Sequence, residues 1–243
     1  MNYLSPYVIM DGASQGIING SLVMFGLMFL SALVIGRLWC GWVCPAGGFC
    51  EMAFPVNNAP VNNKKLDWVK WVIWVIWLGI ILSLVISAGG YRSLNLFLDT
   101  QNGISVAGTA ERPIIIPYII YYIVLGTFFL TSVIAGRRGG CHTFCWMAPF
   151  MIAGRKLRNL INLPALHLQA APENCTNCNK CTTNCPMSLD VNAMVHQINM
   201  ENSECILCGN CVDNCAAHAI RYSFGRSRSQ AAGSVHEQPV AGD

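Results

Sequence analysis

Charge is scarce in this chain: 11% of its 243 residues are Asp, Glu, Lys or Arg, against 53% hydrophobic residues. Combined with a mean hydropathy of +0.44, that shortage excludes an ordinary soluble globule, in which about 25% of residues are charged, and it points to a bilayer. A targeting leader is also missing, since no basic segment precedes the first apolar stretch and no small-residue cleavage site follows it. A cleavable signal peptide is therefore not expected. Histidine is the third shortage. His142, His167, His196, His218 and His236 all lie outside the long apolar stretches, so those stretches offer no axial ligands for a haem b. His196 and His218 read as solvated residues near the C-terminal cysteines. His236 belongs to a tail, 225–243, whose Gly, Ser and polar content predicts disorder.

Three uncharged stretches reach the length of about 20 residues that crosses roughly 30 Å of hydrocarbon: one between Asp11 and Arg37, one over 71–91 and one over 113–136. Lysines and arginines favour the cytoplasmic side. Arg37, Lys64, Lys65 and Lys70 therefore place the first connection inside, as Arg137, Arg138, Arg155, Lys156 and Arg158 do for the segment after the third span. Arg92, Asp99, Glu111 and Arg112 balance to zero, which assigns the second connection to the outside. Three spans put the N-terminus outside, where Asp11 is the one charge; a leading helix, lost to a late start site or supplied by another subunit, would relieve that tension. Trp68, Trp71, Trp74 and Trp77 recur every third residue. That spacing drifts by about 60° per step around a helix, so no single tryptophan face is expected, and a place in the interfacial belt near the lysines is the simpler reading.

What the chain does have is cysteine. Eight of its thirteen fall into two copies of one spacing, CTNCNKCTTNCP from Cys175 and CILCGNCVDNCA from Cys205. Three closely spaced thiolates can cap three irons of a [4Fe–4S] cubane, while the displaced fourth ligates the other cluster. The expected ligand sets are crossed: Cys175, Cys178, Cys181 and Cys215 for one cluster, Cys205, Cys208, Cys211 and Cys185 for the second. Structural zinc has no use for a third CxxC step plus a displaced cysteine. Disulfides suit neither the spacing nor a cytosolic-type motif. Ala216 stands where a proline commonly follows the fourth cysteine, a change that touches the turn and removes no ligand.

Four further cysteines repeat a different unit. GRLWCGWVCP, from Gly36, and GRRGGCHTFCW, from Gly136, each follow an apolar span and each place two cysteines with three residues between them. If a CxxxC pair lies on a helical turn, its sulfurs share a face, so Cys40, Cys44, Cys141 and Cys145 could converge. Three readings stay open: an iron, cluster or zinc site, a redox-active dithiol, and buried packing. Cys50 reads as a lone buried thiol and His142 as a polar residue at the interface. The segment 141–154 is apolar but too short to span, which suits an interfacial or re-entrant piece.

On GRLWCGWVCPAG, CHTFCWMAP and the paired ferredoxin motifs, the chain resembles the NapH/NosR-type membrane ferredoxin family. The resemblance implies an α-helical membrane domain (1–170, about three transmembrane helices plus interfacial segments) followed by a small α+β bacterial-type ferredoxin domain (171–224). It also implies two [4Fe–4S] clusters and a multi-pass place in the inner membrane, with the ferredoxin domain and CxxxC motifs facing the cytoplasm. The implied role is an electron relay between the quinone pool or a cytoplasmic donor and a partner reductase, as a subunit of an oxidoreductase complex, with no catalytic residues and no nucleic-acid partner. Too few residues precede the first span for a flavin domain of the NosR kind, so no flavin is expected. An assembly factor that delivers metal and a redox-sensing regulator are the rival functions. The ferredoxin segment 173–221 is more acidic than basic while the membrane-proximal loops are basic, an asymmetry that could attach it to the membrane face or dock a basic partner.

Overall fold

The first apolar stretch does not form one helix. In the computed structural model, which describes residues 2–61, 63–98, 100–101, 104–105 and 115–226, α1 (Pro6–Gln15) stops at Gly16 in the left-handed region, φ 67°. A short strand, β1 (Ile17–Asn19), then pairs in parallel with β2 (Ser93–Asn95). Asn19 restarts the helix: its side chain accepts the Leu22 amide at 2.9 Å, capping α2 (Gly20–Ile35). The expected 11–37 span is thus corrected to a broken element. Its 16-residue helix rises about 24 Å. Gly16 supplies the positive φ and Asn19 the cap, two local signals that outweigh a continuous apolar pattern.

Two short helices follow, α3 (Leu38–Trp42) and α4 (Pro45–Glu51), and then α5 (Asn63–Ser87), whose Asp67–Ser87 portion is the one helix among the described residues long and apolar enough to cross a membrane. β3 (Thr100–Gln101) and β4 (Ile104–Ser105) form a minimal hairpin. α6 (Ile115–Ala135) covers most of the expected third span, and Tyr122–Ala135 is its shorter apolar stretch. Asp99, Glu111 and Arg112, used above for orientation, lie outside the described residues or side chains, as do the side chains of Lys64 and Lys65 and the tail 227–243.

α7 (Gly139–Thr143) and α8 (Met147–Leu160) complete the apolar module. Its core joins Phe25, Met28, Ala32, Trp77, Phe128 and Met151. Close helix contact explains two glycines. A Cβ on Gly154 of α8 would lie 2.9 Å from the Phe29 carbonyl oxygen of α2, and one on Gly140 of α7 would lie 2.6 Å from the Phe128 ring of α6. The tryptophans depart from the sequence reading. Phe150 of α8 packs edge-on against Trp74 at 5.3 Å and Trp77 at 5.7 Å, and Trp71 meets Trp74 at 5.8 Å. Two steps of drift amount to about 120°, a sector that one aromatic wedge can span. Only Trp68 of the four is exposed, at 61%.

The C-terminal module is closed by β5 (Ala165–Ala170) and β6 (Ile220–Gly225), paired antiparallel from Ala165↔Gly225 to Ala170↔Ile220. Between them lie α9 (Lys180–Thr183), α10 (Val191–His196) and α11 (Asn210–Asp213). The two halves repeat in their backbones. Asn177 and Leu207, Asn179 and Gly209, Ser188 and His218 occupy matching positions, and all six have φ between 51° and 89°.

The modules meet through ions. Glu204 sits between Arg37 (2.8 Å) and Lys70 (2.7 Å), and Glu201 between Arg155 (2.6 Å) and Arg158 (2.7 Å). Burial alone would raise both carboxyls, yet the cations prevail and hold them low, Glu204 at about 2. A carboxyl depressed on folding contributes stability above its unfolded range and loses it as pH falls through the folded value. Protection of the amides at the α8–Glu201 contact, taken relative to their intrinsic exchange rates, should therefore fall as pH drops below the ordinary carboxylate range, and Glu201→Gln should abolish that acid-sensitive component; a pH-independent protection factor in the wild type would refute the assignment.

Candidate iron–sulfur centres

The eight C-terminal cysteines gather around two cavities. Cys185, Cys205, Cys208 and Cys211 line an apolar cavity of about 30 Å³ with Leu168 and Met187. Cys175, Cys178, Cys181 and Cys215 line a second of about 200 Å³. Each loop reaches its cavity by alternating right- and left-handed residues, Asn177 and Asn179 in one and Leu207 and Gly209 in the other. Such alternation turns successive N–H groups toward one centre, the nest that receives anionic sulfur. All thirteen thiols are free of disulfides.

Donor spacing decides between zinc and a larger group. A tetrahedral zinc with Zn–S bonds of about 2.3 Å holds its sulfurs about 3.8 Å apart. Among the described residues, the one set of three or more possible ligand atoms within 4.8 Å of one another is Asp67, His142 and Glu204, so no three cysteine sulfurs are so close. Thiols dispersed around a cavity fit a cubane, in which each iron takes its own thiolate.

The four membrane-type cysteines also come together, by a route other than a shared helical turn. α3 ends at Trp42, leaving Cys44 as the N-terminal cap of α4, and α7 ends at Thr143, leaving Cys145 in the break before α8. Each CxxxC pair therefore straddles a helix break. Cys40, Cys44, Cys141 and Cys145 act on one another electrostatically: Cys145 is pushed up by burial first and then by the other three, and burial with Cys40 and Cys141 lifts Cys44 to about 11. Arg138, itself in the left-handed region at φ 47°, donates to the Cys40 carbonyl at 2.7 Å and to Glu51 at 3.0 Å. It thereby joins the two halves of the repeat.

This quartet lies directly beneath the second cysteine loop. A Cβ on Gly41 would fall 2.6 Å from the Ile206 carbonyl oxygen and 3.2 Å from the Cys208 Cα. Trp42 donates its indole N–H to the Leu207 carbonyl at 3.0 Å, and Arg155 donates to that of Cys205 at 3.0 Å. Cys178, on the other loop, is exposed.

Two residues depart from the sequence reading. His142 is not an interfacial residue: it is fully buried, with Nδ1 2.7 Å from the Asp67 carboxylate. It projects from α7 against Asp67 of α5, and that contact seals it. Cys50 is buried as expected but has company, its sulfur lying 3.9 Å from that of Cys141. Glu201, Glu204 and Asp67 were not singled out from sequence at all, although Glu204 directly precedes Cys205, and Lys70 was read only as a topology signal. The Asp67, His142 and Glu204 group already holds a cation, because Lys70 donates to both carboxylates at 3.2 and 2.7 Å.

Comparison with known proteins gives the same chemistry. A family model described as a 4Fe–4S binding domain matches residues 18–61, and one described as a 4Fe–4S dicluster domain matches residues 167–216. The ferredoxin-type protein NapH of Escherichia coli (strain K12) is 22% identical over 87% of this chain and 71% of its own length. The methylamine utilization ferredoxin-type protein MauN of Methylorubrum extorquens is 25% identical over 74% of this chain and 59% of its own. Over most of its length the chain is similar to NapH-type 4Fe–4S ferredoxins. The nitrogen fixation protein FixG of Rhizobium meliloti is 24% identical over 87% of this chain and 43% of its own length. No solved structure matches. The two family models support two [4Fe–4S] clusters and an iron–sulfur electron-transfer role.

The sulfur contact at Cys50 predicts a specific chemistry for cluster-free protein. Oxidation with diamide should join Cys50 to Cys141 in preference to any other pair involving either residue, as peptide mapping after denaturing alkylation would show. Recovery of both as separately alkylated thiols would count against the packing described.

Proposed function

We propose that this chain is a multi-pass membrane subunit that relays electrons between a membrane-side donor, with the quinone pool the leading candidate, and a partner reductase on the cytoplasmic side. α2, α5 and α6 serve as the membrane-embedded helices, and the basic segments around Arg37 and Arg155 lie at the cytoplasmic face. The carrying observation is the stacking of the 205–211 loop on the Gly41 turn. It puts one cysteine cavity against the apolar module and leaves the other open to solvent.

In this reading Cys175, Cys178, Cys181 and Cys215 hold the outer cluster and Cys185, Cys205, Cys208 and Cys211 the inner one. Cys40, Cys44, Cys141 and Cys145 hold a third iron–sulfur centre, a reading supported by the 4Fe–4S binding family model over residues 18–61. When bound, each cluster accepts or releases one electron. The chain's own residues exclude water from the inner cavity through Leu168 and Met187 and place cations beside the thiolates. The relatives named for methylamine utilization and nitrogen fixation favour a subunit that serves a separate terminal enzyme.

Anaerobic purification in detergent tests the third centre. At four irons per cubane, the wild type should hold about twelve irons per chain and the Cys40→Ser/Cys141→Ser double variant about eight; about eight in both would eliminate the membrane-edge centre. The crossed ligand sets have their own test. Cys185→Ser should abolish the electron paramagnetic resonance signal that Cys208→Ser abolishes, whereas Cys215→Ser should match Cys178→Ser, and the opposite pairing would refute the crossing.

A further inference from the structure

Arg37 has two neighbours that no part of the relay has yet used. Its side chain is 1% exposed, and one end donates through Nη1 to Glu204 at 2.8 Å and to the Ser203 carbonyl at 3.0 Å. The other end, Nε, is buried without a hydrogen-bond partner. Arg37 sits one helical turn before Cys40, whose amide donates to the Arg37 carbonyl at 3.0 Å. Arg37 lies near enough to the Cys40 and Cys145 thiols for its charge to act on them. Glu204 immediately precedes Cys205, and Lys70 holds the same carboxylate from α5 at 2.7 Å.

We propose that Arg37 and Glu204 are positioning residues for electron transfer: together they pin the Cys205 loop over the Cys40 turn. This inference rests on the relay reading above and names the coupling element within it. The chemical logic is that of a buried pair whose members each need the other. Glu204 is enclosed by two cations from different segments, Arg37 from the turn before α3 and Lys70 from α5, so the loop that carries it has one low-energy seat. A single seat fixes the gap between the inner cavity and the membrane-edge thiols. Fixed geometry is what a short-range transfer between two sites demands, since small misplacements carry large rate penalties.

The test uses the full chain, anaerobically prepared with its clusters and placed in lipid nanodiscs, as wild type, Glu204→Gln, Arg37→Gln and the milder Arg37→Lys. Iron and sulfide are counted, and dithionite-reduced protein is reoxidised either by ferricyanide from the aqueous side or by decylubiquinone from the bilayer. The spread of distances between a nitroxide at Leu30 and the reduced inner cluster is measured by pulsed electron paramagnetic resonance. Glu204→Gln should keep its iron and its ferricyanide rate, slow the decylubiquinone rate by about tenfold or more, and broaden a distance distribution that is narrow in the wild type. Arg37→Lys should restore much of what Arg37→Gln loses. The proposal is overturned if Glu204→Gln keeps the narrow distribution, or if its iron is lost, which would make the pair a holder of clusters. A wild type inert to decylubiquinone would count against quinone in the relay reading, and the distance measurement would still decide the positioning role.

Discussion

A carboxylate sealed between two cations ties the parts of this molecule together. Glu204 is 8% exposed, while Arg37 and Lys70 are almost wholly buried around it. None of the three charges could be left there alone, because removing one partner of such a pair typically costs about 3–5 kcal/mol. Each belongs to a different segment: Arg37 follows α2, Lys70 lies in the first turns of α5, and Glu204 belongs to the second cysteine loop. Satisfying them at once fixes where the cysteine module rests on the apolar module. The Glu201 pairings with Arg155 and Arg158 add a second point from α8, which restrains rotation about the first.

Both modules assemble thiols by interrupting regular structure. In the C-terminal module, left-handed residues at matching offsets curl each loop around its cavity. In the apolar module, each CxxxC pair straddles the end of a short helix, and two such ends face one another, with Arg138 bridging Cys40 and Glu51. A continuous helix presents side chains along one edge, whereas a break lets two cysteines from one segment meet two from another. The resulting site sits under the inner cavity with glycine, at Gly41, as the residue that permits the approach.

Much of this was legible beforehand because cysteine spacing reports ligand chemistry directly. The two loops, their pairing and the repeated CxxxC units all appear as strings of residues. The charge asymmetry between the acidic ferredoxin segment and the basic loops was legible, although it left membrane face and basic partner as alternatives and named none of the pairing residues. The tryptophans were misread because helical drift describes one helix in isolation, and Phe150 arrives from another. His142 was misread because its partner, Asp67, is 75 residues distant in sequence. The first span was misread as one helix because apolarity is continuous through Gly16 and Asn19, where backbone conformation and capping are not.

By itself the amino-acid sequence determined the kind of chemistry, since thiolates at those intervals suit iron–sulfur cubanes, and it determined the apolar character that sets the module apart from a soluble globule. Only the tertiary structure decided which cysteine cavity faces the apolar module, that Cys50 touches Cys141, and that Arg37 stands between Glu204 and Cys40. The reason is physical. Ligand identity is carried by local spacing, whereas a buried charge finds its partner wherever folding brings an opposite one, at separations of more than a hundred residues that no local pattern records.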